Sequence, residues 1–267
     1  MGRVLRAVVI YSWTMKRTFV IGDVHGNYDR LRALLIQEGI IDEKENRIDH
    51  ETEVVQLGDL GDFGKNGSPT GDFLCYHAAY YKDWIDRVLW GNHDRAVFDY
   101  VHAFTGYREP QRETKEIMAK MAQIRQLVMS WSADGHLLTH AGLHPYFFSG
   151  SANPFRFFEG QDAFEVSSLI NNWTRWGGAR KGFVSDAIST HRGGRDPIGG
   201  VLWRHSGESL YKGFPQIFGH TSKPKIRKYG TKKHGVWSYC IDLGSKTNGR
   251  LAGMWLPENK AVGVVVH

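Results

Sequence analysis

A chain of 267 residues that is 41% hydrophobic and 23% charged has an ordinary globular composition, long enough for one large domain with a core or for two small ones. No run of 18 apolar residues occurs, which excludes a membrane-spanning helix, and two cysteines, Cys75 and Cys240, are too few for a disulfide framework and point to a reducing, cytoplasmic compartment. The net charge of +6 and pI of about 9.2 suit an anionic substrate, with a merely basic surface as the competing reading; the excess is dispersed, its densest run being 223–233, so stable nucleic-acid binding is not indicated.

Residues 1–14 read as an extension ahead of Met15, with an edge strand at 7–11 as the alternative; residues 15–267 read as a single domain. From there a local pattern recurs. An apolar run at 18–21 leads into Gly22-Asp23-Val24-His25, and one at 54–57 into Gly58-Asp59. Runs at 87–90, 136–139 and 216–218 lead into Gly91-Asn92-His93-Asp94, His140-Ala141-Gly142 and Gly219-His220. Runs this short, bounded by Gly, predict buried strands. Between them, 28–38 predicts a helix with Leu31, Leu34 and Leu35 on one face and Asn27 as its cap. Helices are also predicted at 71–84, 94–104 and 114–131, the last being the longest. Such alternation predicts an α/β fold.

Two stretches differ. Residues 143–200 hold Phe147, Phe148, Phe155, Phe157, Phe158, Trp173 and Trp176 among many Gly and Arg, and read as an insertion or cap over the site. After His220, strands are predicted at 236–241, 251–256 and 262–266, expected to pair antiparallel and form much of a second sheet.

The chemistry lies at the strand ends, where α/β sheets gather ligands. Five of them each deliver carboxylate, imidazole or amide oxygen, the donors that hard and borderline cations prefer. Taken singly, each is turn or capping chemistry. As a set they predict a metal site. Asp23 and His25, two apart in an extended turn, can face one ion; Asp59 is the candidate bridge; Asn92, His140 and His220 complete a second ion.

These motifs, in this order, resemble those of the calcineurin-like metallophosphoesterases, and the stretch 241–252 resembles the closing strands of the branch holding phage-type protein phosphatases and diadenosine tetraphosphatases. The resemblance implies a double β-sheet sandwich flanked by helices. It implies two divalent metal ions, manganese first and iron or zinc as alternatives. It also implies His93 as the catalytic histidine beside the leaving group and Asp94 as its orienting carboxylate. Thr221-Ser222 follows Gly219-His220, so the second histidine typical of many phosphodiesterases of this type is absent, which favours the phosphatase branch. Two departures stand out. Phe63 and Trp90 occupy positions where that branch usually has arginines. Arg204 resembles a family arginine near the substrate, and Lys65 is the candidate partial substitute.

The function expected is hydrolysis of a phosphomonoester by a metal-bridging hydroxide, with His93 protonating the departing oxygen. Diesters and dinucleoside polyphosphates are the alternative, supported by the aromatic pair Phe63 and Trp90, which could stack on a base. The partner expected is a phosphorylated small molecule, nucleotide or phosphoprotein. A catalytically dead scaffold is the rival of another class, and the complete donor set stands against it.

Overall fold

A computed structural model describes residues 17–62, 69–99, 112–148, 158–176, 179–230 and 235–265. The extension at 1–14, Phe63, Lys65, Phe155 and Phe157 lie outside them. In chain order the first half runs β1 (Thr18–Ile21), α1 (Tyr28–Gln37), β2 (Glu53–Gln56), α2 (Pro69–Tyr81), β3 (Arg87–Leu89), α3 (Asn92–Asp99), α4 (Arg112–Gln123), β4 (Leu127–Val128), β5 (Ser130–Ala133) and β6 (His136–Thr139). The second half runs α5 (Ala163–Trp176), α6 (Ala179–Asp186), β7 (Gln216–Phe218), β8 (Arg227–Gly230), β9 (Trp237–Cys240), α7 (Ser245–Asn248), β10 (Arg250–Leu256) and β11 (Lys260–Val265).

The strands form two sheets, ordered β11-β10-β1-β2-β3-β4 and β5-β6-β7-β9-β8. β1, β2, β3 and β4 are parallel neighbours, as are β6, β7 and β9. Because side chains alternate along a strand, each sheet has two apolar faces to cover. Val20, Val55, Leu57 and Leu89 meet Leu138, Ile217 and Ile241 in one buried cluster joining the sheets. On the other face of the first sheet, Phe19, Ile21, Val54 and Val88 pack with Leu31, Leu34 and Leu35 of α1, Tyr76 of α2 and Met118 of α4. Each such side chain removed from water contributes about 1.5–3 kcal/mol. The fold is therefore the expected double sandwich flanked by helices.

Two expectations are corrected. The helix foreseen at 114–131 ends at Gln123. Arg125 turns into the left-handed region (φ 60), and the Gln126 amide side chain donates to Ala79 O and Ile85 O, which anchors the chain beneath α2. The residues beyond become β4 and β5. Next, β10 and β11 do pair antiparallel, but they belong to the first sheet, beside β1; only β9 joins the second. A Cβ on Gly253 would stand 2.2 Å from the Phe19 ring, so glycine there lets β10 lie close to β1. Within the stretch 143–200, Phe147, Phe148, Phe158 and Trp173 pack into the core. Phe158 stacks on Trp173, and Phe148 stacks on Tyr211, both remote in sequence. Helix α5 covers the second sheet, where Asn171 is hydrogen-bonded to the backbone of Met129 and Ser130. Just beyond the stretch, at the metal edge, Val201 O accepts from Ala141 N at 2.7 Å.

Candidate metal centre

The loops after β1, β2, β3, β6 and β7 converge on one edge of the sandwich. Four non-glycine residues there adopt left-handed backbone: His25 (φ 52), Asp59 (φ 54), Asp62 (φ 58) and His220 (φ 71). Such conformations cost on the order of 1–3 kcal/mol each and persist where the surroundings force them. They turn each side chain inward at the end of its strand.

Asp59 is the hub. Its Oδ2 lies 3.5 Å from His140 Nε2, 3.7 Å from His25 Nε2 and 4.0 Å from His93 Nε2. On one side, Asn92 Oδ1 is 2.9 Å from His140 Nε2 and 2.9 Å from His220 Nδ1. Two donor groups share Asp59: His25, Asp59 and His93, and Asp59, His140 and His220, with ligand atoms within 4.8 Å of one another in each. Asp23 Oδ2 accepts from the His220 amide at 2.9 Å, while its Oδ1 is buried with no partner.

The protonation pattern fits a cation. His140 Nδ1 faces Leu57 O at 2.9 Å, and His25 Nδ1 faces Asp62 O at 3.0 Å. A carbonyl accepts only, so each Nδ1 carries a proton and each Nε2 is aimed at Asp59. A carbonyl behind the ring is the usual support of a metal-binding histidine. Burial pulls the His25 imidazole down to about 4, against the pull of Asp59, so it is neutral near pH 7. His220, with Nε2 buried and unpartnered, is held well below its ordinary value by burial and then by His140. Burial drives the Asp23 carboxyl well above the carboxylate range, and Asp242 and Asp59 add to it. Buried carboxylates so close stay ionised together only with cations among them.

The remaining candidates fare differently. His93 Nδ1 meets Asp62 Oδ2 at 2.6 Å, not Asp94. Burial would lower its pKa, but Asp59 and Asp62 more than offset this and leave it raised. Asp94 instead accepts from Asp59 N (2.7 Å), Gly91 N (2.9 Å), Gly61 N (3.2 Å) and Tyr76 Oη (2.5 Å), clamping the loops after β2 and β3 together. Arg204 is only 1% exposed; its Nε donates to Ala141 O, and its Nη1 to His205 O and Glu208 O. It braces the backbone. Trp90 is 8% exposed, edge-on to Phe98 in the helical layer. The aromatic stacking platform expected of it is absent.

From the sequence Asp62 reads as a supporting carboxylate and not a ligand, and Asp242 escapes that reading. Asp62 was legible as the second carboxylate of Gly58-Asp59-Leu60-Gly61-Asp62. Asp242, just past β9, is buried beside the cluster, its carboxyl pushed up to about 6 by burial and Asp59 against a hydrogen bond from Gly244. It too lies at a strand end.

A double sandwich with carboxylates, imidazoles and an amide converging at its strand ends is the architecture of a metal-dependent phosphoester hydrolase. Residues 16–224 match the model of the calcineurin-like phosphoesterases, and the chain belongs to that family. It is accordingly a phosphoric ester hydrolase. Similar solved structures include a candidate diadenosine tetraphosphatase (17% identity, TM-score 0.51, covering 94% of each chain). A cold-active protein-tyrosine phosphatase of the psychrophile Shewanella sp. is 18% identical, with TM-score 0.50, covering 94% of this chain and 78% of that one. A mutant cold-active protein tyrosine phosphatase gives TM-score 0.54 at 16% identity, with the same coverages. At these identities the likeness speaks to the fold alone. No curated protein matches the chain. Among the described residues, no helix is long and apolar enough to cross a membrane.

Proposed function

We propose that the cluster holds two divalent ions, manganese in the first instance, and that the protein hydrolyses phosphomonoesters. Asp23, His25 and Asp59 would hold the first ion, and Asp59, Asn92, His140 and His220 the second. The observation that carries this reading is the pair of donor groups sharing Asp59, one with His25 and His93 and the other with His140 and His220; Asp23 belongs to neither group and is included for its buried, unpartnered Oδ1. When bound, the ions supply the positive charge that acidifies water and offsets charge on phosphate oxygens.

The chain's own residues do the rest. His93, fixed through Nδ1 by Asp62, presents Nε2 to the cleft on the side of Asp59. Nearby carboxylates favour its charged form, so it carries a proton to give to the departing oxygen. Asp62 keeps the ring in that orientation. Asp94 sets the distance between the loops that carry Asp59 and Asn92. Diester or dinucleotide cleavage is the second reading, supported by the absence of arginine at positions 63 and 90. The free, buried Cys75 and Cys240 suit a reducing cytoplasm.

The test is removal and return of metal. Chelated protein should lose hydrolysis of nitrophenyl phosphate and regain it with manganese, with close to two ions per chain by elemental analysis. His93→Ala should lose roughly 10²–10⁴-fold on an alkyl phosphate and clearly less on the nitrophenyl ester, whose leaving group needs no acid. Full activity in metal-free protein would overturn the proposal.

A further inference from the structure

Phosphate-binding enzymes commonly meet the substrate's oxygens with guanidinium groups, whose planar fork matches phosphate. Arg204 is committed to three carbonyl oxygens, and Trp90 faces the helical layer. A different arginine stands at the metal edge. Arg192 closes a short 3-10 turn, Thr190–Arg192, and is followed by Gly193 at φ 79. That turn is tightly held. Ser189 O accepts from the amides of Arg192 (2.9 Å) and Gly194 (3.0 Å), Asp196 Oδ2 accepts from Ile188 N at 2.8 Å, and Ser189 Oγ donates to Glu208.

From this platform Arg192 Nη2 donates to Thr221 Oγ1 at 2.8 Å, the residue directly after His220. Its charge reaches Asp59, Asp242 and His220, which places it within the field of the cluster. Yet among the described residues it forms no ion pair. Glu208, the carboxylate that bears on it most, is already taken by Ser189 Oγ, Gly199 N and His205 N. Arg192 Nε is buried with no partner at all. A half-buried guanidinium with unused donors pays desolvation without return unless an anion comes to it.

We propose that Arg192 binds a non-bridging oxygen of the substrate's phosphate. The inference rests on the phosphoester hydrolase reading and adds the residue that selects for the phosphate group. Thr221 keeps one edge of the fork in place, and the other edge remains for the ligand. A single fork in place of several concentrates phosphate affinity in one residue. Lysine there would keep charge but lose the paired geometry.

The experiment uses full-length, manganese-loaded protein and inorganic phosphate as the probe, with binding measured by calorimetry alongside inhibition of nitrophenyl phosphate hydrolysis. Arg192→Gln should weaken phosphate binding and raise KM roughly tenfold or more, the usual scale for a charged hydrogen bond, while metal content and melting temperature stay unchanged. Arg192→Lys should fall between Gln and wild type. Arg204→Gln should lower the melting temperature. A wild-type phosphate Kd in Arg192→Gln, or a loss of metal with it, would overturn the inference. Wild-type protein that binds phosphate yet hydrolyses no ester would sink the hydrolase reading alone, because calorimetry still judges Arg192. No phosphate binding by wild type would sink the inference.

Discussion

Asp62 Oδ2 lies 2.6 Å from His93 Nδ1, although Asp94 is the carboxylate next to His93 in sequence. The reason is helical geometry. His93 and Asp94 are consecutive residues of α3, and consecutive side chains on a helix point about 100° apart. His93 faces the cleft, so Asp94 faces inward, where it collects three backbone amides and the Tyr76 hydroxyl. Asp62 reaches His93 from the loop after β2 through its own left-handed turn (φ 58).

The two carboxylates should therefore separate by readout. Asp62→Asn should lower kcat on alkyl phosphates by roughly 10²-fold or more, and adding His93→Ala should cost little extra, since the pair acts as a unit. Asp94→Asn should chiefly lower stability, by about 1–3 kcal/mol, because an amide cannot accept from as many donors. Steady-state kinetics and denaturant unfolding on the set decide it; additive losses at Asp62 and His93 would refute the pairing.

Glycine 219 predicts a metal phenotype. A Cβ there would lie 1.8 Å from Asp23 Oδ1, so Gly219→Ala must displace that carboxylate. Bound metal, read by elemental analysis after dialysis, should fall well below the wild-type level, and activity with it. Gly39→Ala is the control. Its Cβ meets nothing within 4 Å but its φ is +71, so it should lose roughly 1 kcal/mol of stability and keep its metal.

Placing arginine at position 90 should not restore a phosphate grip. Trp90 packs edge-on against Phe98 with Arg95 above its ring at 5.3 Å. Trp90→Arg removes that packing and sets a second cation beside Arg95, a loss of roughly 3–5 kcal/mol or more in urea unfolding. Unchanged stability together with tighter phosphate binding would show that the side chain can turn to the cleft.

Away from the site, Glu45 gives a pH signature. It accepts from Tyr28 Oη, Arg32 and Lys82, and the Lys82 contact above all holds its carboxyl below its ordinary 4.5, against the effect of burial. A depressed folded pKa means that the unfolded chain takes up the proton first as pH falls. Glu45 thus contributes stability above pH 4.5 that is lost as pH drops through its folded value. Glu45→Gln should lower the melting temperature near neutrality and leave it close to wild type at about pH 3, flattening the acid limb. Parallel curves for the two proteins would refute the network.

Periodicity and punctuation alone marked the strands at 18–21, 136–139 and 216–218, because a short, mostly apolar run with a glycine close to its end reads as a strand buried on both faces. They also marked Asp23, His25, Asp59, Asn92, His140 and His220, since each follows its strand within a few residues and a sheet brings such ends to one edge. Only the tertiary structure decided which carboxylate meets His93, which arginine reaches Thr221 at the metal edge and which is bonded to backbone carbonyls, and which sheet receives β10 and β11. Those outcomes join residues far apart in sequence: Asp62 with His93, Arg192 with Thr221, β10 with β1. They depend on the aim of individual left-handed turns and on the order of strands across a sheet, neither of which leaves a repeating signal along the chain.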